Sequence, residues 1–288
     1  MSFYCPRLCI VGSGLIGGSL ALALKKAGRV GEVVGAGRNE ATLQRAQELG
    51  IIDRHVTDIA EAARGADIVV LSVPLLAMRQ VFEQLAPVLR PGMVLTDVGS
   101  AKTSVIEDAR AVLGQKSRQF VPGHPIAGTE KSGPDAAFAG LFEGRKVILT
   151  PLSDNDAGDV ARIRAMWRIA GAEVEGMTAL HHDHVLAATS HLPHLLAFAL
   201  VESLARMEER HEVFRYAAGG FRDFTRIAAS DPTMWRDIAL ANAAEIKGML
   251  KRYQKDLDHL YALLDQGDGE ALHALFNRAR QAREGLKL

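Results

Sequence analysis

The stretch that decides the fold is Leu8–Gly17, LCIVGSGLIG. Leu8 to Val11 is a short apolar run with the length and character of a strand buried on both faces. It runs without a break into Gly12-Ser13-Gly14-Leu15-Ile16-Gly17, and a helical pattern follows, carrying Leu15, Ile16, Leu20, Leu22 and Leu24 and ending near Gly28. In this strand-turn-helix context the first glycine permits the tight turn. The second lets a pyrophosphate approach the backbone, and the third lets the helix pack closely on the strand. The pyrophosphate then rests on unpaired N–H groups at the positive end of the helix. Gly12 to Gly17 are therefore candidate residues for binding a dinucleotide.

Working outward, the second strand, Glu32 to Gly35, leads into Gly37, Arg38 and Asn39. NAD enzymes usually carry an acid at this strand end for the ribose 2′-hydroxyl, whereas an arginine accommodates a 2′-phosphate. Glu32 opens the strand and Glu40 lies in the next helix, so neither is well placed for the ribose. Arg38, with Asn39 and Thr42, offers an anion pocket instead, and a solvated arginine stacked on the adenine would read the same in sequence. The cofactor expected is NAD or NADP, with a lean to NADP.

Further buried strands are expected at Ala66–Val73, Met93–Val98, from Gln119 to Val121 and at Lys146–Thr150, with helices around Leu75–Leu89 and Thr103–Leu113. This alternation predicts an α/β fold with a doubly wound, mostly parallel, Rossmann-type sheet whose ligands bind at the carboxyl ends of the strands. Three loops converge there: Val73-Pro74, Gly99-Ser100-Ala101-Lys102, and Val121–Gly133. Ser100 is also a good N-cap for the helix that follows. In the third loop, VPGHPIAGTEKSG, Pro122 and Pro125 exclude a helix and hold His124 on stiff backbone. An imidazole titrates near neutrality, which suits a general base.

After a helix at Asp156–Ala170 and a last strand at Ala172–Met177, only helical periodicity remains. We therefore expect residues 1–177 to form the dinucleotide-binding domain and residues 178–288 an all-α domain for substrate and dimerisation. From Ile238 to Leu264 the apolar positions Ile246, Met249, Leu250, Tyr253, Leu257, Leu260, Tyr261 and Leu264 make one wide face, which predicts a homodimer. Val185 to Ala205 is long enough for a membrane span, but it holds His191, Pro193, His194 and Glu202, so a buried and functionally loaded helix is expected. Pro193 should free the Thr189 carbonyl and kink that helix. His181-His182-Asp183-His184 has the composition of a metal cluster, yet polar residues are ordinary at a helix start, and no metal is expected. From Gly219 to Arg236 the chain carries Arg222, Arg226 and Arg236 with Trp235 among them. At least one arginine is available as a fork for a carboxylate, with surface salt bridging the alternative for each.

Composition narrows the partners. The chain has 288 residues, 48% of them hydrophobic, enough for two ordinary cores, and its 34 basic residues balance 34 acidic ones. No net field draws it to nucleic acid or an anionic membrane, which leaves a small molecule as the default ligand. Two cysteines, Cys5 and Cys9, form neither a zinc pattern nor a disulfide framework, and the N-terminus lacks an export signal. A cytoplasmic location is expected.

Taken together, Gly12 to Gly17, the run Asp97-Val98-Gly99-Ser100-Ala101-Lys102, Gly123-His124-Pro125 with Gly128-Thr129-Glu130, Ser190 to His194, and Asp223-Phe224-Thr225-Arg226 with Asp231-Pro232 and Trp235 resemble the prephenate/arogenate dehydrogenases of tyrosine biosynthesis. The likeness spans nearly the whole chain in order. It implies oxidation of a cyclohexadienol to a ketone with loss of the ring carboxylate as carbon dioxide. Prephenate would give 4-hydroxyphenylpyruvate and arogenate would give tyrosine. By motif position the resemblance implies that His124 takes the ring hydroxyl proton and that Ser100 orients His124 and the nicotinamide. Arg226 would bind a substrate carboxylate, with Ser190, His194, Thr129, Glu130 and Trp235 around it and Gly219 reaching in from the partner subunit. His194 is more typical of members acting on prephenate. The sequence leaves no room for a fused chorismate mutase or a separate regulatory module, so feedback control would act at the active site or dimer interface. Two other readings stay open: another two-domain oxidoreductase, such as a β-hydroxyacid dehydrogenase or an imine reductase, and a dimer that binds NAD(P) without chemistry.

Overall fold

The computed structural model describes residues 3–129 and 131–286. Its first strand, β1 (Cys5–Val11), alternates sides: Leu8 and Ile10 enter one apolar layer, Cys9 and Val11 the other. Because both faces are covered, the strand reads as a continuous apolar run. The first layer is completed by α1 (Leu15–Lys26), α2 (Glu40–Glu48) and α6 (Ala157–Ile169). The second is completed by α3 (Ile59–Ala63), α4 (Met78–Leu85) and α5 (Thr103–Leu113).

Between the layers lies a six-stranded parallel sheet in the order β3-β2-β1-β4-β5-β6. Its other strands are β2 (Val30–Ala36), β3 (Arg54–Val56), β4 (Ile68–Leu71), β5 (Val94–Asp97) and β6 (Phe120–Val121). The order reverses direction at β1 and β4, which is where an open α/β sheet leaves its ligand crevice. The short β3 and α3 escape the hydrophobic pattern, because all three β3 residues are only half-buried.

The expected loop around His124 is instead a strand. After β6 the chain turns at Pro122 into β7 (Gly123–Pro125), which pairs antiparallel with β8 (Lys146–Leu149), and β8 pairs parallel with β9 (Glu173–Gly176). These three make a second, mixed sheet. The two prolines do forbid a helix, but Pro125 ends β7 without breaking it, a position an edge strand tolerates. His124 faces Ile148 in the register, so the paired backbone holds it still.

Beyond β9, the helical stretch Ala179–Ala205 is continuous through α7 (Ala179–Leu186), a π-helical turn at Ala187–His191 and α8 (Leu192–Ala205). Where Pro193 was expected to disturb the helix, the structure has this wide turn. Pro193 cannot donate to the Thr189 carbonyl, and the helix relaxes to a looser repeat in the preceding turn. By length and composition alone the stretch could cross a membrane. Our expectation of a buried helix is corrected for its second half, since within α8 only Ala197 is buried in the single chain. Then come α9 (Arg210–Arg215), α10 (Gly219–Thr225), a 3₁₀ turn at Arg226–Ala229 and α11 (Pro232–Ala241).

By compactness the chain divides into residues 1–243 and 244–288. The second unit consists of α12 (Ala243–Asp265), which starts later than the expected Ile238, and α13 (Gly269–Glu284), capped by the Asp268 carboxylate. Leu250, Tyr253, Leu257, Tyr261 and Leu264, spaced by three and four, are exposed along α12.

Candidate active site

The glycine turn opens on a cleft of about 710 Å³. Gly12 has φ +97°, and a Cβ there would lie 2.2 Å from the Ser72 carbonyl oxygen, so only glycine fits. A Cβ on Gly17 would lie 2.5 Å from the Gly12 carbonyl oxygen and 2.8 Å from Ile10, which is the close helix–strand packing expected of the third glycine. Around Gly14 no neighbouring group lies within 4 Å of a Cβ position, and Gly14, the N-cap of α1, has no side chain to cap it, so the Leu15 and Ile16 amides are left without a side-chain acceptor. An uncapped helix start beside empty space is where an anion is stabilised. The buried Ser13 hydroxyl has no partner. These features fit a dinucleotide pyrophosphate.

Of the sequence-predicted cofactor residues, Gly12, Ser13, Gly14, Arg38, Val73 and Pro74 line the cleft. Leu15 and Ile16 send their side chains into the core, Gly17 is packing, and Ser100 lies outside the lining. Ser72 was not anticipated: its hydroxyl accepts the Gly17 amide at 3.1 Å and it lines the cleft. The anion pocket around Arg38 needs correction. The Asn39 carboxamide caps α2 by accepting the Thr42 amide at 3.0 Å, and Glu40, set aside from the ribose, lines the cleft too. Arg38 is exposed and makes no ion pair or hydrogen bond among the described residues. Glu32 is held by Arg7 and Arg54 at 2.7 and 2.8 Å.

His124, 8% exposed, bonds through Nδ1 to Nε2 of His182 at 2.8 Å. His182, in turn, bonds through Nδ1 to the Asp183 carboxylate at 2.8 Å. That carboxylate also accepts the amides of Lys102 and Thr103, each at 2.8 Å, so Asp183 and not Ser100 caps α5. Ser100 makes no hydrogen bond to His124 among the described residues, and the partner that orients His124 is His182. Beneath them Lys102, fully buried, meets the Asp97 carboxylate and donates to the Gly123 carbonyl at 2.7 Å. Asp97 further accepts the amides of Gly99 and Gly123 at 2.8 and 3.1 Å. The pair ties the end of β5 to β7, immediately before His124.

The electrostatics keep these imidazoles neutral. Burial, then the neighbouring His182, Lys102 and His191, push His124 well below the usual histidine range. His182 is also lowered by burial, with the Asp183 hydrogen bond opposing. His191 is lowered to about 4, chiefly by burial; its Nδ1 lies 3.1 Å from the Asn242 carboxamide nitrogen, and its Nε2 has no partner. Burial likewise pushes the Lys102 ammonium down, against the pull of Asp97.

A second wall is formed by the helical segments. His194 stacks on Trp235 with centroids 3.7 Å apart and planes 18° apart, and its Nδ1 donates to the Ser190 carbonyl at 2.9 Å. The Trp235 indole N–H has no partner. Arg226 begins the 3₁₀ turn packed on α8 and lies near enough to His194 to oppose its protonation, after burial has lowered it. Of the three arginines, Arg236 is committed to Asp237 at 2.6 Å, while Arg222 and Arg226 make no ion pair among the described residues. Thr129 bonds within its own loop to Lys131 and lines a smaller hollow of about 290 Å³ with Phe138 and Arg145. Gly219 opens α10 and meets nothing within 4 Å, and Glu130 lies outside the described residues. No group of three or more His, Cys, Asp or Glu among the described residues is arranged to hold a metal.

A dinucleotide crevice at the switch point of a parallel sheet, together with an imidazole kept neutral and fixed in the strand that follows β6, places the chain among the nicotinamide-dependent dehydrogenases. Residues 20–176 match the model of the prephenate dehydrogenase nucleotide-binding domain, and residues 178–278 that of the prephenate dehydrogenase dimerization domain. The cyclohexadienyl dehydrogenase of Zymomonas mobilis is 41% identical over 98% of this chain and 96% of its own length. The prephenate dehydrogenase of Bacillus subtilis is 36% identical over 98% of this chain and 76% of its own. Among solved structures, the prephenate dehydrogenase of A. aeolicus in complex with hydroxyphenyl propionate and NAD+ superposes with a TM-score of 0.92 at 39% identity, covering 99% of both chains. The chain belongs to the prephenate dehydrogenase family.

Proposed function

We propose that the chain is a prephenate dehydrogenase, converting prephenate to 4-hydroxyphenylpyruvate and carbon dioxide with reduction of NAD(P)+. The observation that carries this reading is His124, a neutral imidazole bonded through Nδ1 and held in a strand beside the dinucleotide crevice. With Nδ1 engaged, Nε2 is the nitrogen left to take the proton of the ring hydroxyl. Loss of that proton makes the ring C–O bond a carbonyl as a hydride departs from the same carbon. The ring carboxylate then leaves as carbon dioxide, and its bonding pair moves through the ring to the carbonyl oxygen. That oxygen takes the proton back from His124 as the phenol of an aromatic ring. The bound nicotinamide supplies the hydride acceptor. Ser100, in the loop that follows β5, would contact that ring when it is bound.

Arg226, exposed and without an ion pair among the described residues, takes a substrate carboxylate as a charge-assisted fork. The His194–Trp235 stack supplies a flat wall for the ring, with Ser190 next to it and Thr129 and Glu130 in the loop that follows His124. We divide the chain functionally into a dinucleotide-binding domain at 1–177 and a substrate and dimerisation domain at 178–288. The protein is a homodimer in this reading; the exposed stripe of α12 is the kind of surface a second copy covers, and Gly219 would approach the partner's site. The dinucleotide lean toward NADP now rests on Arg38 alone, since Asn39 is committed to capping and Glu40 lines the same cleft. We place the protein in the cytoplasm, in keeping with two buried, unpaired thiols that burial pushes up to about 12.

The 41% identical cyclohexadienyl dehydrogenase favours a second reading, in which arogenate is also accepted and yields tyrosine. One experiment covers both: reduced-nicotinamide absorbance with prephenate or arogenate, each with NAD+ and NADP+. Turnover with prephenate is expected, and no turnover in any of the four combinations would overturn the reading.

A further inference from the structure

The run His181-His182-Asp183-His184 looks in sequence like an ordinary polar helix start. In the structure two of its members are buried, His182 fully and Asp183 at 2% exposed, while His181 and His184 are exposed. Charged and polar side chains are rarely buried unless they are paired. Here the donors converge on Asp183, the amides of Lys102 and Thr103 from one side and His182, itself bonded to His124, from the other.

We propose that His182 and Asp183 are positioning residues that fix the tautomer of His124, leaving its Nε2 as the bare nitrogen that receives the substrate proton. The inference rests on His124 being the base. Hydrogen-bond bookkeeping dictates the chain. An ionised carboxylate only accepts, so His182 Nδ1 carries hydrogen and donates to Asp183. A neutral His182 then has a bare Nε2, which can only accept. His124 Nδ1 must therefore carry the hydrogen in the 2.8 Å bond between the rings, and His124 Nε2 is bare. Asp183 stays ionised because, although burial opposes it, the hydrogen bonds from His182, Thr103 and Lys102 prevail and lower it. The groups facing His124 from other elements are His182 on α7, Lys102 ahead of α5 and His191 in the π-helical turn, with Asp97 behind Lys102. None but His182 hydrogen-bonds the His124 ring among the described residues. When His124 takes up a proton, its Nδ1–H lies on a ready path to His182 Nε2, and the resulting imidazolium would sit against Asp183. The bonds balance without any further reactant.

Two measurements on the full-length protein test this. First, ¹⁵N-histidine-labelled wild type should show a protonated Nδ1 and a bare Nε2 for His124, the signal that disappears in His124→Asn. A protonated Nε2 in the wild type would overturn the proposal, whether or not the protein turns over. Second, His182→Leu should lower kcat by about 10²-fold while substrate KM and dinucleotide Kd move by less than about threefold, because the base His124 stays in place but loses the partner that fixes its tautomer, and the pockets are untouched. His182→Gln offers a carboxamide oxygen near the lost Nε2 and should recover most of that loss. Asp183→Asn donates where Asp183 accepted, reverses both tautomers and should show a protonated His124 Nε2; the corresponding exchange in a serine protease triad costs about 10⁴ in kcat. If His182→Leu does not fold, the labelled wild type and His182→Gln still decide the question. Wild-type kcat in a folded His182→Leu would overturn it. Absence of wild-type turnover with every substrate and dinucleotide would instead sink the dehydrogenase reading, and leave the tautomer result standing.

Discussion

His124 and Arg226 do different work, and the difference is measurable. His124 is buried, bonded and neutral, so replacing it with Asn removes a proton acceptor from a site whose shape survives. We expect His124→Asn to lower kcat by about 10²-fold or more with dinucleotide affinity little changed. Arg226 is exposed and makes no ion pair among the described residues, which in the proposed reading leaves it available to a substrate carboxylate. Loss of a charge-assisted hydrogen bond is worth about 1.5–3 kcal/mol, so Arg226→Ala should raise KM about 10- to 100-fold with a smaller change in kcat. A reversed pattern in steady-state kinetics would exchange their roles. Both residues were legible in sequence, because a histidine between prolines and a run of three arginines stand out locally. His182 and Asp183 were not. Their meaning depends on Lys102 and His124, 81 and 58 residues away, and no local pattern reports a bond of that range. A faint signal was present, since His182, Leu186, Ser190 and His194 recur every four residues and so share a helix face with the SHLPH motif. The lean to NADP failed to gain support for a related reason. Asn39 looked free in sequence, yet it caps its own helix.

At the scale of elements, the strand–turn–helix at Leu8–Gly17 was readable because each glycine answers a local demand. Those demands are separable. Gly12 has a positive φ and a Cβ position occupied by the Ser72 carbonyl, so Gly12→Ala strains the fold itself. Gly14 has φ −84° and open space around it, so Gly14→Ala is tolerated by the chain and intrudes only on a bound pyrophosphate. We expect Gly12→Ala to lower Tm by several degrees, and Gly14→Ala to keep the wild-type Tm while weakening dinucleotide binding about tenfold or more. Equal Kd for Gly14→Ala and wild type in a titration would remove the pyrophosphate from this turn. The second sheet was harder to foresee. β7 has only three residues, two of them Gly and Pro, which depress strand propensity. It exists because Gly123 is tied from both sides, its amide to Asp97 and its carbonyl to Lys102, while β8 lies alongside. The π-helical turn was half-read, since Pro193 announced a disturbance but not its form.

At the scale of the molecule, the site doubles as a junction. Within residues 1–243, β5, β7, the start of α5 and α7 meet in one chain of polar groups that runs from Asp97 through Lys102 and Asp183 to His182 and His124. The arrangement stores its stability in neutral imidazoles, and this sets how the protein responds to acid. His124, His182, His191 and His194 are all lowered from 6.5, so between their folded and unfolded values the unfolded chain binds more protons. Stability therefore is fully present above about pH 6.5, where both states are neutral, and declines as pH falls through that value. For His191, lowered to about 4, the loss is on the order of 3 kcal/mol by the time pH reaches its folded value. Asp183, lowered in the other class of group, contributes only further down, with stability lost below about pH 4 as the carboxylate is forced to protonate. Chemical denaturation from pH 8 to pH 4 should accordingly show a plateau above about pH 6.5 and a steep fall beneath it. His191→Asn, which removes a buried titrating ring from beside Asn242, should flatten that fall even if it lowers the plateau. A slope unchanged in His191→Asn would show that His191 does not contribute to the acid response, and would leave it to the other imidazoles and the carboxylates.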